Sequence, residues 1–483
     1  MHVAFLIIAH VPYVRRAGRK PNGEDALHAL LAQGLLPLIE LLSDLNASGL
    51  QPRVALACSP LLSDQLADPV AQKHFVLWIE ALLAHHEARL REAEAHGDHH
   101  AAYLERFALE WGRQRLRSFA ERLGRTPNQT LRALAAARVI EPLAGAASYA
   151  YLPLLAREES VRAQIEHGTL HTTRHQGRPE GLWLPGCGWR PGLEKIAAAV
   201  GLNYLVADPS SLPAHQLTTP ALIGAGRLAV LFPDQALAQA IWSEELGYPG
   251  DPLYRDPDDP RGYRARGGQP YDPYFALRRA QEHATHFVMS LVAAAERRPA
   301  NDLALILLDA SQIGPRWVEG STWLQAVLTL VATHGGLTLT TPGAYLRQYR
   351  PRRQIHLGPG SWAVGGHAGW QGAEAEAYWQ ALHAAEARMV ALATEHPQAE
   401  GERERILTQA ARELLLAQTS DWPALLSAGH NGAARWRIYL ERFDQLAELA
   451  TQSQINAADR FLLEQFEELD GPFGSLNYRI FAS

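Results

Sequence analysis

The chain has 483 residues, of which 47% are hydrophobic and 20% charged, and its formal net charge is −6. This length allows one large α/β barrel with a smaller second domain, and the composition is typical of an ordinary soluble globular protein. The acidic balance argues against nucleic acid as a partner. Two cysteines, Cys58 and Cys187, make neither a disulfide framework nor a metal site, so we expect a reducing, cytoplasmic location.

The first predicted element is a buried strand at residues 3–9. This apolar run is too short for a signal-peptide core or a membrane span, and no basic region precedes it. No later run approaches about 18 consecutive apolar residues. We therefore expect no membrane segment.

Short apolar runs of strand length then recur and are separated by segments with helical periodicity. The runs are residues 3–9, 54–57, 139–143, 182–184, 204–206, 228–231, 303–308 and 337–339. Strands that are apolar on both faces and alternate with helices are typical of a parallel sheet covered on both sides. Closing seven or eight of them gives a barrel, so the predicted fold class is α/β.

Three further stretches organise the chain. Residues 61–137 are mostly helical and predict an insertion between two strands. From residue 371 the pattern becomes that of amphipathic helices, predicted at 374–394, 402–418, 432–451 and 456–468. We accordingly divide the chain into a barrel domain, 1–350, and a C-terminal helical domain, 351–483. The proline- and glycine-rich loop 248–273 is long enough to be functional or mobile.

A breaker-rich turn, residues 183–192, follows the fourth apolar run and reads Trp-Leu-Pro-Gly-Cys-Gly-Trp-Arg-Pro-Gly. Prolines and glycines at this density mark a turn at the end of a strand. In α/β barrels, catalytic groups project from the carboxyl ends of the strands. Trp183 and Trp189 offer flat apolar faces that suit a pyranose ring, although tryptophan is as often part of a core.

Three other residues stand at or near predicted strand ends. His10 follows the first strand, Tyr149 follows the third, and Asp309 follows the strongly apolar run 303–308. A lone histidine at a strand end is usually structural, whereas an isolated carboxylate there is costly to bury and usually has a function.

Together these segments resemble glycoside hydrolase family 57. The turn is similar to the family's Trp-Leu-Pro-Glu segment, in which the glutamate is the nucleophile, but Gly186 stands at that position here. Asp309 matches the general acid/base aspartate, and Tyr149 stands where the family commonly has histidine. The segment around His10 and Tyr13 is similar to a His-x-Pro-Tyr-like segment that lines the sugar site.

Other segments extend the resemblance to the α-1,4-glucan branching enzyme subgroup across almost the whole chain. They contain Tyr248, Trp317, Trp362 and Trp422. The resemblance implies a distorted (β/α)7-type barrel followed by a helical domain, an α-glucan substrate, and no metal or other cofactor. It also implies a substrate-binding set: His10, Tyr13, Tyr149, Trp183, Trp189, Tyr248, Trp317, Trp362 and Trp422.

The functional hypotheses differ in how they account for the missing glutamate. Retaining glycosidases use two carboxylates roughly 5–5.5 Å apart, and loss of a catalytic nucleophile costs several orders of magnitude in rate. Our leading hypothesis is an inactive or strongly impaired protein that binds glucan or regulates an active glucan-processing partner. The alternative is an active branching enzyme or 4-α-glucanotransferase with a relocated nucleophile, for which Tyr149 is the candidate. Glu194 is predicted to point away from the site.

Two further possibilities stay open. A metal-dependent carbohydrate deacetylase would need a His/Asp triad at the barrel mouth, but neither His96/His100 nor His171/His175 directly follows an apolar strand. The other possibility is a barrel with a decayed site that acts only through its surface.

Overall fold

A computed structural model describes residues 1–18, 23–213, 219–226, 228–430 and 435–482. Its strands are β1 (His2–Ala9), β2 (Val54–Cys58), β3 (Ile140–Ala144), β4 (Gly181–Leu182), β5 (Tyr204–Val206), β6 (Ala221–Ile223), β7 (Leu228–Leu231), β8 (Leu303–Asp309) and β9 (Thr338–Thr340). Every predicted apolar run overlaps one of these strands. The short antiparallel strand β6 was not predicted.

Seven parallel strands form the barrel wall in the order β7-β5-β4-β3-β2-β1-β8. The two ends of this row meet just beyond β7, where the amide of Asp234 donates to the carbonyl of Leu305 in β8 at 2.8 Å. β9 pairs with the first residues of β1, and β6 pairs with β7. The predicted distorted (β/α)7-type barrel is confirmed.

The alternation of side chains along β1 explains why this run is apolar on both faces. Ala4, Leu6 and Ile8 face the barrel interior, in the same cluster as Trp183 and Cys187. The intervening side chains pack outward against the surrounding helices. Because both faces of a parallel strand are covered, each side chain is removed from water.

The helices surround this wall and extend beyond it. They are Glu24–Ala29, Leu36–Ala47, Pro60–Ala67, Pro69–Ala95, His99–Arg117, Pro127–Ala136, Glu158–His175, Leu193–Ala199, Gln235–Trp242, Pro273–Arg297, Gly320–Thr333, Pro342–Gln348, Glu376–Glu395, Gly401–Ala417, Asp421–Ser427, Arg435–Thr451 and Ala457–Leu469. Those from Pro60 to Ala136 form the predicted helical insertion, with the long pair Pro69–Ala95 and His99–Arg117 at its centre.

The C-terminal helices share one hydrophobic core with part of the barrel. Leu205 and Val230 of the wall belong to the same buried cluster as Tyr378, Trp379 and Trp436. The C-terminal helical domain is therefore confirmed, whereas the division at residue 350 stays a prediction. The predicted start of one helix, Gly432, lies outside the described residues.

One helix in the described part of the chain is long and apolar enough, by length and composition, to cross a membrane. It spans Glu24–Ala47 and includes a π-helical segment, Leu30–Leu35. However, 67% of its most apolar window is buried inside the protein. A core helix passes the same test, so this is weak evidence for a membrane span.

Candidate functional site

The carboxyl ends of the parallel strands bring the predicted polar residues to one end of the barrel. His10 follows β1, Tyr149 follows β3, Trp183 follows β4 and Asp309 ends β8. His10 and Asp309 come from neighbouring strands, since β1 and β8 are paired up to Ile8 and Asp309. We call this end the barrel mouth, where α/β barrels carry their active sites.

His10 is held at both ring nitrogens. Its Nδ1 lies 2.8 Å from the Ser59 Oγ, and its Nε2 lies 2.9 Å from Asp421 Oδ2. Ser59 also caps the helix Pro60–Ala67, because its Oγ accepts a hydrogen bond from the amide of Leu62. Asp421 begins a helix of the C-terminal domain. The mouth is therefore built by both parts of the chain.

Tyr149 stacks on His10, with ring centroids 3.8 Å apart and an interplanar angle of 14°. Its backbone has φ 62°, a left-handed conformation that is uncommon for residues other than glycine. The carbonyl of Tyr149 accepts a hydrogen bond from the amide of Ser420, which helps to hold this turn. Burial raises the pKa of the Tyr149 phenol, and the nearby Asp309 carboxylate raises it further. At neutral pH the phenol therefore keeps its proton.

The Asp309 carboxylate is oriented by its own loop. Oδ1 accepts hydrogen bonds from the amide of Ser311 at 2.7 Å and from the Ser311 hydroxyl at 2.6 Å. Burial raises the pKa of Asp309, while these hydrogen bonds and the nearby His10 oppose the shift. A carboxyl group with a raised pKa is suited to protonate a leaving group.

Backbone contacts support the Asp309 loop from behind. A Cβ built on Gly34 would lie only 2.6 Å from the carbonyl oxygen of Ala310. Similarly, a Cβ on Gly314 would lie 2.7 Å from the carbonyl oxygen of Gln33. Gly34 belongs to the π-helical segment of the buried helix, so this irregular turn brings that helix directly against the loop.

An aromatic side chain closely covers Gly186 at the predicted nucleophile position. A Cβ on Gly186 would lie 2.3 Å from Cη2 and 2.7 Å from Cζ2 of Trp370, far inside the normal carbon–carbon separation. Trp370 stacks on Tyr151 with ring centroids 3.8 Å apart, and the Tyr151 hydroxyl lies 2.7 Å from Nδ1 of His367. A glutamate side chain cannot leave the backbone here unless Trp370 moves.

Trp362 provides the exposed face of a tryptophan surface beside these groups, in which Trp183 is buried (1% exposed) and Trp242 is partly buried. Trp362 is 41% exposed, and its ring centroid lies 5.7 Å from that of Trp183 and 6.0 Å from that of Trp242. The Trp183 Nε1 donates to the Tyr149 hydroxyl at 3.4 Å, which links this tryptophan surface to His10 and Asp309. The exposed ring of Trp362 suits the apolar face of a sugar, whereas Trp183 offers almost no free surface to one.

The structure does not bring the other predicted contacts to this surface. Tyr13, Trp189 and Trp422 are buried in the core that the barrel shares with the C-terminal helices. Trp317 and Tyr248 are also buried, and both pack against Trp323 in the outer core. These five side chains offer almost no free surface to a sugar, so a supporting role fits them better than direct contact.

The loop 248–273 is tied down in this structure. The Tyr263 hydroxyl donates to Oε1 of Glu105 in the insertion at 2.5 Å, and the Tyr271 hydroxyl donates to Oε1 of Glu319 at 2.8 Å. That the loop is functional or mobile stays a prediction.

Sequence reasoning missed Trp370, Trp242 and the contact of Asp421 with His10. No local pattern signals them, because these contacts join distant parts of the chain. The His171/His175 spacing was visible in the sequence, whereas Asp64, which completes a group of potential metal ligands described below, was missed.

The fold and the mouth define an α/β barrel with a buried carboxylate, Asp309, at the end of β8 and an exposed tryptophan, Trp362, nearby. The chain belongs to glycoside hydrolase family 57: the model described as "Glycosyl hydrolase family 57" matches residues 4–358. A second model, "1,4-alpha-glucan branching enzyme, C-terminal", matches residues 381–481.

Individual relatives support this assignment. The chain is 30% identical to the 1,4-alpha-glucan branching enzyme TK1436 of Thermococcus kodakarensis, over 98% of this chain and 77% of that protein. It is 29% identical to a probable 1,4-alpha-glucan branching enzyme of Mycobacterium tuberculosis, over 97% and 96% of the two chains. The crystal structure of a family 57 branching enzyme from Pyrococcus horikoshii superposes with a TM-score of 0.93 at 28% identity, covering 100% of this chain and 97% of that one.

Proposed function

We propose that the protein binds α-glucan at the barrel mouth but has lost all or nearly all turnover. The observation that carries this proposal is the contact between Gly186 and Trp370. Gly186 supplies no carboxylate, and the indole of Trp370 occupies the position where a side chain would begin. Asp309 retains the position and the raised pKa of an acid, but a retaining mechanism needs two carboxylates.

The proposed ligand rests on the tryptophan surface and on the relatives. Trp362 presents an exposed face next to Trp183, and Trp183 donates to Tyr149 of the His10–Tyr149 stack. The relatives are 1,4-alpha-glucan branching enzymes, so an α-1,4-linked glucan is the ligand class to test first. We also propose a cytoplasmic location, consistent with two buried free cysteines, and a regulatory action on an active glucan-processing enzyme.

The alternative, an active enzyme with a relocated nucleophile, finds less support at the mouth. Burial raises the pKa of both the Tyr149 phenol and the Cys187 thiol, so neither is poised as an anion. The Glu194 carboxylate accepts a hydrogen bond from the amide of Gly192 at 2.8 Å, at the start of its own helix. Glu194, the other carboxylate considered from the sequence as a replacement nucleophile, is therefore engaged in capping its own helix.

Trp362→Ala is expected to weaken binding of maltoheptaose about tenfold, or ~1.4 kcal/mol, because it removes the exposed stacking face. Isothermal titration calorimetry with the wild type and the variant measures this. Tyr274→Ala is the matched control: Tyr274 is also an exposed aromatic residue, but its ring contact is with Phe275. Equal affinities for all three proteins would place the glucan elsewhere, and absence of binding to the wild type would contradict the proposal.

The wild type is expected to leave amylose unchanged in assays of both chain transfer and hydrolysis. Product analysis after debranching detects new α-1,6 linkages, and a reducing-end assay detects hydrolysis. The alternative predicts new α-1,6 linkages that disappear in Asp309→Asn. Activity that requires Asp309 would therefore reject the loss of turnover while preserving the glucan-binding part of the proposal.

A further inference from the structure

We propose that Asp64, His171 and His175 form a binding site for one divalent transition-metal ion of the zinc type. Each residue offers one ligand atom, and these atoms lie within 4.8 Å of one another. His171 and His175 occupy successive turns of the helix Glu158–His175, whereas Asp64 comes from the helix Pro60–Ala67. Two imidazoles and one carboxylate are a common protein ligand set for zinc.

The helix spacing accounts for the convergence of the two histidines. Residues four apart lie on the same face of a helix, and the two imidazole rings are stacked with centroids 4.3 Å apart. The Nε2 of His171 lies 2.7 Å from Asp64 Oδ1. Small side-chain rotations would open this contact and let a cation replace the proton between the two atoms.

His171 has a buried nitrogen available for that exchange. Its side chain is only 3% exposed, and Nδ1 has no hydrogen-bond partner among the described residues. The Nε2–H donates to the Asp64 carboxylate. An ion that takes Nε2 displaces this proton, and Nδ1 is the nitrogen of the same ring that can receive it.

The carboxylate is held by a second contact, as is typical of metal ligands. The amide of Phe473 donates to Asp64 Oδ2 at 2.6 Å, which leaves Oδ1 directed at the histidines. A groove of about 350 Å³, lined by Asp64, Tyr13, Gly471 and Pro472, reaches the Asp64 side of the site from solvent. Asp64 is therefore an oriented ligand that solvent can reach.

With three protein ligands, the proposed ion would keep a fourth position for water. The ligands lie on two helices outside the barrel wall, and the Phe473 contact joins them to the chain's final segment. The same segment supports the loop after β1, because the Tyr13 hydroxyl donates to the carbonyl of Leu469 at 3.1 Å. A bound ion would strengthen the attachment of this segment to the barrel. It does not supply the mouth triad that the deacetylase hypothesis requires.

Metal titration of the full chain tests the proposal. The protein, prepared without a histidine tag and stripped with EDTA, is titrated with Zn²⁺ by calorimetry and with Co²⁺ by visible absorption. We expect one saturable site per chain, a Co²⁺ spectrum with low-symmetry ligand-field bands, and a higher unfolding temperature with Zn²⁺. His175→Ala and Asp64→Asn should each weaken binding at least tenfold, since each removes a ligand.

His96→Ala is the matched control because His96/His100 has the same spacing, but His96 Nδ1 lies 2.8 Å from the carbonyl of Glu92 in its own helix. This variant should bind metal like the wild type. Circular dichroism verifies the fold of each variant. The proposal is overturned if the stripped wild type shows no saturable site, if folded His175→Ala binds with unchanged affinity, or if His96→Ala alone abolishes binding.

Discussion

Gly186→Glu is expected to destabilise the protein by about 2–4 kcal/mol and to leave it without amylose turnover. The left-handed φ of 65° costs a residue with a Cβ about 1 kcal/mol, and overpacking against Trp370 adds about 1–3 kcal/mol. Urea denaturation measures the stability change, and the assays for chain transfer and hydrolysis measure activity.

Two alanine variants separate the contributions. Gly201 has φ 82° with no atom within 4 Å of a built Cβ, so Gly201→Ala carries the backbone cost alone. Gly186→Ala should be more destabilising than this control. In the double variant Gly186→Glu/Trp370→Ala, the new side chain enters the space that the indole vacates. We expect the two changes to be coupled, with a smaller combined loss of stability than the sum of the single losses.

The turnover assays distinguish a site that Trp370 blocks from one in which Trp370 is easily displaced. Activity in the double variant alone would show that the groove and Asp309 remain competent once Trp370 is removed. Turnover by Gly186→Glu alone would show that Trp370 yields easily and would contradict the steric argument.

We also expect the free energy of unfolding to fall as the pH rises from about 4.5 to 7, because of Glu386. This carboxyl group is fully buried, and burial raises its pKa from 4.5 to about 7. It accepts hydrogen bonds from the amide of Ala156 at 2.9 Å and from Nε2 of Gln418 at 2.8 Å, which only partly offset the loss of water. Gln418 also accepts a hydrogen bond from Nε2 of Gln164. The same nitrogen donates to the hydroxyl of Ser148, the residue before Tyr149.

The sign of this pH dependence follows from comparing the pKa of Glu386 in the folded and the unfolded protein. Because the folded pKa lies above the unfolded value, the stabilisation is complete below about pH 4.5 and is lost as the pH rises through 7. The shift corresponds to about 3 kcal/mol. Urea unfolding at several pH values should show this slope in the wild type and a flatter one in Glu386→Gln.

Glu395→Gln is the control for that series. Glu395 is exposed and ends the same helix, so its replacement changes the charge without removing a buried carboxyl group. Its pH dependence should match that of the wild type. If Glu386→Gln keeps the full slope, other buried acids carry the effect.

The sequence predicted the parallel strands because hydrophobic periodicity is a local property, whereas the (β/α)7-type barrel rested on the resemblance to family 57. Runs such as residues 303–308 are apolar on both faces, a pattern typical of a covered parallel strand. The same logic placed His10 and Asp309 at the mouth, since the carboxyl ends of parallel strands share one edge. The replacement of the nucleophile glutamate by Gly186 was also read directly from the sequence.

The packing around these positions could not be derived in this way. Trp370 lies far along the chain from Gly186, and Asp421 is separated from His10 by 411 positions. Trp317 and Tyr248 have the residue types of a sugar site, but residue type alone does not distinguish an exposed ring from a core ring. The sequence likewise shows a His171/His175 pair without the Asp64 that completes the group.

The support behind Asp309 has a consequence for how this protein can be altered. The loop that carries Asp309 packs directly against the backbone of Gly34 in another helix. This close approach is possible because Gly34 has no side chain. A methyl group there would overlap the Ala310 carbonyl, so either the loop or the π-helical segment would have to move. Gly34→Ala would therefore change the support of this loop through a buried residue of another helix.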